Sequence, residues 1–229
     1  MTTVPRSEIF DDVYFSVADG LAETRHVFLD GNGLPDAWEG REHFTICETG
    51  FGTGLNFLAV WKLWKACKPE GARLHYISFE KYPVSGAYIA EVLAPWQDEI
   101  GEERYALVGG YPKKQIGSCR VEISSNVILT LVFGDVNEEI IKTEADVDCW
   151  FLDGFKPSSN PDMWSKTVFE NMARLSHLGT TFATFTAAGF VRRGLAEAGF
   201  DVRKVPGFGR KREMAVGVYQ AGTRPVSSL

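Results

Sequence analysis

Cysteine and histidine are scarce in this chain, four of each in 229 residues. Cys47, Cys67, Cys119 and Cys149 form no C-x-x-C pair, and His26, His43, His75 and His177 form no H-x-x-x-H or mixed Cys/His cluster. Those spacings exclude a zinc ribbon and a redox dithiol, so no metal is expected and the thiols read as reduced. No apolar run reaches the ~18 residues of a membrane span. Residues 1–12 also lack the basic-then-apolar order of a secretory signal, and a cytoplasmic protein is expected.

What remains is ordinary for a soluble globular chain: 45% hydrophobic and 24% charged residues, in a length that suits one α/β domain. Its most informative stretch is H-F-T-I-C-E-T-G-F-G-T-G-L-N-F-L-A-V-W, from His43 to Trp61. A short apolar run ends at Glu48, three alternating glycines follow, and Leu55, Leu58, Ala59 and Leu63 then keep a 3.6-residue period. The pattern predicts strand, glycine loop and helix, with Gly50, Gly52 and Gly54 letting a ligand approach the backbone N–H groups. No Lys-Ser or Lys-Thr follows, which argues against a P-loop, and Leu55 stands where a dinucleotide fingerprint needs its third glycine. Glu48 would repel a pyrophosphate. It suits a positively charged ligand, such as the sulfonium and α-ammonium of S-adenosylmethionine. A plain turn without a ligand is the competing reading.

Residues 1–42 read as a β-rich lead-in, with short runs at 13–16 and 24–29 forming a small β layer; Tyr14 and Phe15 are either core or ligand contacts. From 43 to 220 the chain reads as one domain, and 221–229 as a polar tail. Leu74 to Glu80 is a second strand ending in an acid, 26 residues past Gly54, where a carboxylate can accept from both ribose hydroxyls. A helix with Pro83 just inside it should run to about Leu93, and residues 94–120 read as a helical insertion with loops. Val121–Ile123 and Val127–Phe133 form a hairpin that ends at Asp135, a candidate acceptor for an adenine amine. Val147–Leu152 is a buried parallel strand that delivers Asp153 and Phe155 to the ligand side of the sheet. A helix over 167–175 stopped by Gly179, a strand over 180–185 and a helix over 188–198 follow. An antiparallel hairpin of 200–205 with 214–219 closes the sheet, as in a methyltransferase and unlike a dinucleotide fold.

Net charge is −6, but residues 192–212 hold seven basic and two acidic residues, a local +5 on a body of −11. Such a segment can hold a phosphate backbone, or it is a solvated surface.

Several long motifs, E-T-G-F-G-T-G-L-N-F, S-F-E-K-Y-P, F-G-D-V-N, W-F-L-D-G-F-K-P-S-S-N-P-D-M-W, T-A-A-G-F-V-R-R-G-L and G-F-G-R-K-R-E-M, resemble the methyltransferase domain of the bifunctional tRNA 5-methylaminomethyl-2-thiouridine biosynthesis protein. The resemblance runs from Phe10 to Tyr219. It implies a class I, Rossmann-like S-adenosylmethionine-dependent fold that methylates the amine of 5-aminomethyl-2-thiouridine at the wobble position of tRNA. It implies a cofactor site of Glu48, Gly50, Phe51, Gly52, Gly54, Asn56, Glu80, Lys81, Asp135 and Val136. Asp153 would be the catalytic carboxylate, holding the aminomethyl nitrogen with its lone pair toward the methyl group. Phe155, Met163 and Trp164, with Arg210, Lys211 and Arg212, would meet the anticodon region of tRNA. Larger relatives carry an FAD-dependent oxidase domain, and no second glycine fingerprint for one occurs here. A methyltransferase of a small amine or protein side chain, and a non-catalytic cofactor-binding module, are the alternatives.

Overall fold

The structure is a computed structural model that describes residues 6–7, 12–13, 19–67, 71–113, 115–209 and 211–220. Two short strands, β1 (Arg6–Ser7) and β2 (Asp12–Val13), pair antiparallel. The remainder of the 13–16 run, with Tyr14 and Phe15, lies outside the described residues.

The lead-in is helical where a strand was expected. Asp19 caps α1 (Gly20–Thr24) by accepting from Ala22 N, and the chain continues through a π-helical turn, Arg25–Leu29, into a 3-10 turn, Asp30–Asn32. Taken from Leu21, the spacing Leu21, Thr24, Phe28 is helical, and all three are buried. Burial of that face overrides the strand propensity of the Val27-Phe28 pair. Asn32 pins the segment to the sheet: its Nδ2 donates to Trp150 O at 3.4 Å, and its Oδ1 accepts from Thr181 Oγ1 at 2.7 Å.

Strand β3 (His43–Glu48) leads through the glycine loop to α2 (Leu55–Cys67), as the period predicts. Residues 55–61 of α2 are all buried, because the sheet lies on one side and the lead-in helix and insertion lie on the other. After β4 (Arg73–Glu80), α3 (Gly86–Val92) starts later than expected, since Ser85 caps it by accepting from Tyr88 N and Pro83 stays outside. The insertion is α4 (Gln97–Gly110), kinked at Ile100. Strands β5 (Gly117–Ser124) and β6 (Val127–Phe133) form the expected hairpin, but β5 starts at Gly117, inside the stretch read as insertion, because β6 offers partners back to Phe133; the short α5 (Val136–Glu139) follows.

Strand β7 (Val147–Phe151) and α6 (Lys166–Leu175) lead directly into β8 (Ser176–Thr184). Gly179 was expected to end the helix; it lies inside β8 at φ +91° instead. It sits in a bulge: β7 partners pass from Val147↔Ser176 to Cys149↔Thr181, so extra β8 residues must loop out, and glycine tolerates that backbone. The chain ends with α7 (Gly189–Glu197), β9 (Phe200–Pro206) and β10 (Glu213–Tyr219).

The main sheet has the order β5-β6-β4-β3-β7-β8-β10-β9. Strands β6, β4, β3, β7 and β8 run parallel, while β5 and β10 are antiparallel to their neighbours and β10 inserts between β8 and β9. Apolar cores cover both faces. On β7, Cys149 and Phe151 join one core and Trp150 joins the other, the two-residue alternation of a strand buried on both sides. From β3 the chain goes to β4 on one side and later to β7 on the other. The crevice at the carboxyl ends of β3 and β7 is therefore a topological switch point, where open α/β sheets bind ligands.

Candidate active site

Each parallel strand delivers its last residues to this edge: Glu48 from β3, Glu80 from β4, Asp135 beyond β6, Asp153 beyond β7 and Phe185 beyond β8. The glycine loop crosses the crevice. A Cβ on Gly50 would lie 3.1 Å from Asp153 O, so glycine lets this loop press against the one after β7. Gly54 has φ +79°, and a Cβ there would meet the Phe51 ring at 2.7 Å. Gly52, at φ +55°, donates its N–H to Glu80 Oε2 at 2.8 Å, and Tyr82 N donates to Oε1 at 2.7 Å. Burial raises the Glu80 pKa, and the N–H groups of Gly52, Tyr82 and Lys81 oppose that rise. The strand-end acid and the glycine loop thus form one hydrogen-bonded unit.

A second unit joins two carboxylates through one amide. Asn56 Nδ2 donates to Glu48 Oε1 at 2.8 Å and to Asp153 Oδ2 at 2.6 Å, while Asn56 Oδ1 accepts from Thr24 Oγ1 at 2.7 Å. Ser78 Oγ donates to Glu48 Oε2 at 2.7 Å, and Gly154 N donates to Asp153 Oδ1 at 2.8 Å. Glu48 is fully enclosed, whereas Asp153 is half-buried. Burial first, and the Asp153 charge second, push the Glu48 carboxyl from 4.5 to about 8. Burial pushes Asp153 from 3.8 to about 6, against the hydrogen bonds from Gly154 and Asn56. The wholly enclosed Glu48 is therefore the more readily protonated of the two. Glu23 and Lys211 lie within the field of Asp153, the first raising and the second lowering its pKa. They pair with each other at 2.8 Å, and Lys211 Nζ sits 4.4 Å from the Phe185 ring centre.

Asp135 is the N-cap of α5 and pairs with Lys81 at 2.7 Å. Its burial would raise its pKa, but the Lys81 and Asn137 hydrogen bonds outweigh that and hold it low. Lys81 Nζ also lies 5.5 Å from the Tyr82 ring centre. Asn137 Nδ2 donates to Asp162 O at 3.0 Å, and Ser165 Oγ donates to Asn137 Oδ1, which ties the loop after β7 to the Asp135 turn. Within that loop Met163 covers Gly154, whose added Cβ would meet its Sδ at 2.3 Å. Phe155 is half-buried.

Phe51 and Val136 are buried, and the Phe51 ring stacks on Tyr111 with centroids 6.1 Å apart. Trp164 is buried too, donating Nε1–H to Phe155 O at 3.3 Å and meeting Phe185 edge-on, so it props the loop from beneath. Arg212 is exposed, and Arg210 lies outside the described residues. Sequence reading missed Thr24, Ser78 and Glu23. They carry no motif and matter only through partners 32, 30 and 188 residues away.

This sheet order, with a closing hairpin and a glycine loop at the switch point, defines a class I methyltransferase fold. Residues 98–220 match the sequence profile of a family described as S-adenosyl-L-methionine-dependent methyltransferase. The chain belongs to that family. It is similar to the tRNA 5-methylaminomethyl-2-thiouridine biosynthesis bifunctional protein MnmC of Marinomonas sp. (strain MWYL1), 50% identical over 98% of this chain and 34% of that protein. The same-named protein of Chromobacterium violaceum is 50% identical over 93% of this chain and 33% of its own length. The chain thus spans about a third of the length of these curated relatives. Among solved structures, MNMC2 from Aquifex aeolicus superposes with a TM-score of 0.78 at 22% identity, covering 95% of this chain and 67% of that one, a likeness of fold. Among the described residues no helix is long and apolar enough to cross a membrane, and no cluster of potential metal ligands occurs.

The family's cofactor fits these residues. Gly50 and Gly54 let the loop pack tightly against Asp153 and Phe51 at the crevice, and the edge is lined with carboxylates suited to a cationic ligand.

Proposed function

We propose that this chain methylates the primary amine of 5-aminomethyl-2-thiouridine at the wobble position of tRNA, with Asp153 holding the amine. The carrying observation is Asp153 itself: a half-buried carboxyl at the switch point, beside the glycine loop, with a pKa raised to about 6. The name of the curated relatives, which speaks of tRNA 5-methylaminomethyl-2-thiouridine biosynthesis, supports the substrate.

Bound S-adenosylmethionine supplies a methyl group on a positively charged sulfur. Gly50, Gly52 and Gly54 would hold it against the loop backbone, Glu80 would accept from its ribose hydroxyls, and Asp135 would accept from its adenine amine. Asp153 does the substrate-side work. An aliphatic amine has a pKa near ~10.4 and must shed a proton to expose its lone pair. With the acceptor at about 6 instead of 3.8, transfer to Asp153 becomes easier by ~3 kcal/mol. The remaining acceptor capacity of Oδ1 and Oδ2 orients the nitrogen for in-line attack. Phe155 and Met163 flank the extruded uracil. Lys204 and Lys211 are engaged in ion pairs with Glu213 and Glu23, so exposed Arg193, Arg203 and Arg212 are better placed for the phosphate backbone.

The test is transfer of labelled methyl to tRNA from cells that lack this methylation. Asp153→Asn should lower transfer by ~10²–10⁴-fold with cofactor affinity nearly unchanged, and raising the pH should recover part of the loss. A parent that labels small amines or proteins but never tRNA would overturn the substrate. An Asn variant at the parent rate would make Asp153 a turn residue.

A further inference from the structure

Asn56 is a buried amide on a helix that is otherwise packed through apolar side chains at its start. The Thr24 hydroxyl, 2.7 Å from Oδ1, fixes which way the amide points. Its nitrogen then has two hydrogens and two carboxylates to receive them, Glu48 at 2.8 Å and Asp153 at 2.6 Å. These acids end neighbouring parallel strands, β3 and β7. Around Glu48 stand Asp153, Tyr76 and Cys47; around Asp153 stand Glu23 and Lys211, which are paired with each other. Cys149 lies near Tyr76. Among the described residues no cation pairs directly with either acid of the bridge. Two charges bridged by one amide, one of them wholly out of water, are too costly to coexist without a counter-ion.

We propose that Glu48 and Asn56 are positioning residues behind Asp153: a neutral Glu48 braces the Asn56 amide, and Asn56 clamps Asp153 Oδ2 while leaving that carboxylate charged toward the substrate. The inference rests on the reading of Asp153 as the acceptor of the amine proton. It moves both residues out of direct contact with the cofactor. Glu48 has no exposed surface, and the Asn56 amide is used on both ends. When Glu48 is protonated its proton sits on Oε2, and the Ser78 hydroxyl, which donates to the ionised carboxylate, turns to accept it, so Oε1 still accepts from Asn56. The proton balance of the reaction is unaffected. The substrate ammonium gives its proton to Asp153, which passes it to water; the free amine then takes the methyl as the carbon–sulfur bond of the sulfonium breaks to leave a neutral thioether, and becomes a secondary ammonium.

A glutamine reproduces a neutral Glu48, its Nε2 donating where the acid O–H did, whereas alanine leaves the Asn56 amide unbraced. The experiment uses the whole chain, single-turnover methyl transfer to unmethylated tRNA across pH, and calorimetric affinity for S-adenosylmethionine. Asn56→Leu should lose ~10–10²-fold in rate with KM and cofactor affinity within ~3-fold, and the acid limb of its pH profile should move up, since the amide hydrogen bond lowers the Asp153 pKa. Glu48→Ala should lose rate, and Glu48→Gln should recover ~10-fold or more of that loss. Carboxyl ¹³C resonances should show Glu48 still protonated at pH 7, with the signal assigned by its disappearance in the Gln variant. If Asn56→Leu does not fold, Thr24→Val, which unlocks the amide, should show the same rise of the acid limb with a smaller loss of rate. The proposal is overturned if the position-56 or position-24 change leaves rate and profile untouched, if Gln is no better than Ala, or if Glu48 is ionised at pH 7. Asp153→Asn run alongside separates the two levels. Its loss of rate with an indifferent Asn56 removes the clamp alone, and its indifference removes the reading beneath it as well.

Discussion

A buried neutral acid leaves a signature in stability, and Glu48→Gln isolates it. In the unfolded chain a glutamate titrates near its ordinary value of 4.5; in the folded chain Glu48 titrates at about 8. A carboxyl whose folded pKa is raised contributes stability that is complete below the unfolded value and is lost as pH climbs to the folded one. Through that window the folded chain holds one proton more than the unfolded chain. The free energy of unfolding therefore falls by ~1.36 kcal/mol for each pH unit. Asp153 adds a similar slope between 3.8 and about 6, but it is present in parent and variant alike and cancels in their difference. From pH ~6 to ~8 the parent should lose ~2 kcal/mol relative to Glu48→Gln, after allowing for partial ionisation at the upper end. For a chain of this length that is a divergence of ~4–8 °C in melting temperature. Thermal or urea unfolding of both proteins at several pH values in that interval reads it directly. Curves that stay parallel would mean that Glu48 ionises normally and that the carboxylate pair is not sharing a proton.

Three further changes probe the rest of the edge. Gly52→Val places a β-branched residue at φ +55°, where the backbone N–H now bonds Glu80, and calorimetry should find no measurable binding of S-adenosylmethionine in the folded variant. Glu80→Ala should weaken cofactor binding by ~1–3 kcal/mol, the value of hydrogen bonds to a charged group; an unchanged dissociation constant would detach Glu80 from the site. Replacing Arg203 and Arg212 with Ala should weaken tRNA binding and reduce its salt slope by up to ~2 while sparing the cofactor, whereas equal slopes would make the basic segment a solvated surface.

Most of the sheet was legible because its strands advertise themselves twice, by apolar runs and by the acid or glycine that ends them. The hairpin at 121–133, though not the start of β5 at Gly117, and the closing pair β9 and β10 needed only local alternation and turn residues. The lead-in was misread for a physical reason. The run from Thr24 to Leu29 is short enough to fit either period, and the helical spacing becomes visible only when Leu21 is included and a partner surface exists to bury it. Gly179 misled for the opposite reason, since a glycine after a helix resembles a stop and its bulge depends on pairing with β7. The site divides the same way. Glycines and strand-end acids could be placed from spacing, but the charge state of Glu48 is set by its burial and by Asp153, against the hydrogen bonds of Ser78 and Asn56, and no local period connects these residues. Lys211 looked like one member of a basic run, and its pairing with Glu23 depends on the fold alone.

The neutrality of Glu48 also bears on the chemistry proposed for this edge. Both reactants arrive as cations, a sulfonium and an ammonium, and carboxylates at the crevice favour bringing them together. Yet every negative charge near the amine also raises its pKa and holds it as the unreactive ammonium. An edge with Glu48 and Asp153 both ionised would bind substrate strongly and react slowly, because it would stabilise the ground state more than the transition state. Removing one charge by burial limits that effect. The charge that remains, on Asp153, sits where the nitrogen becomes positive as the methyl group arrives, so its interaction strengthens along the reaction from the free amine onward. The Asn56 bridge keeps that single charge in place, and the burial of Glu48 keeps it single.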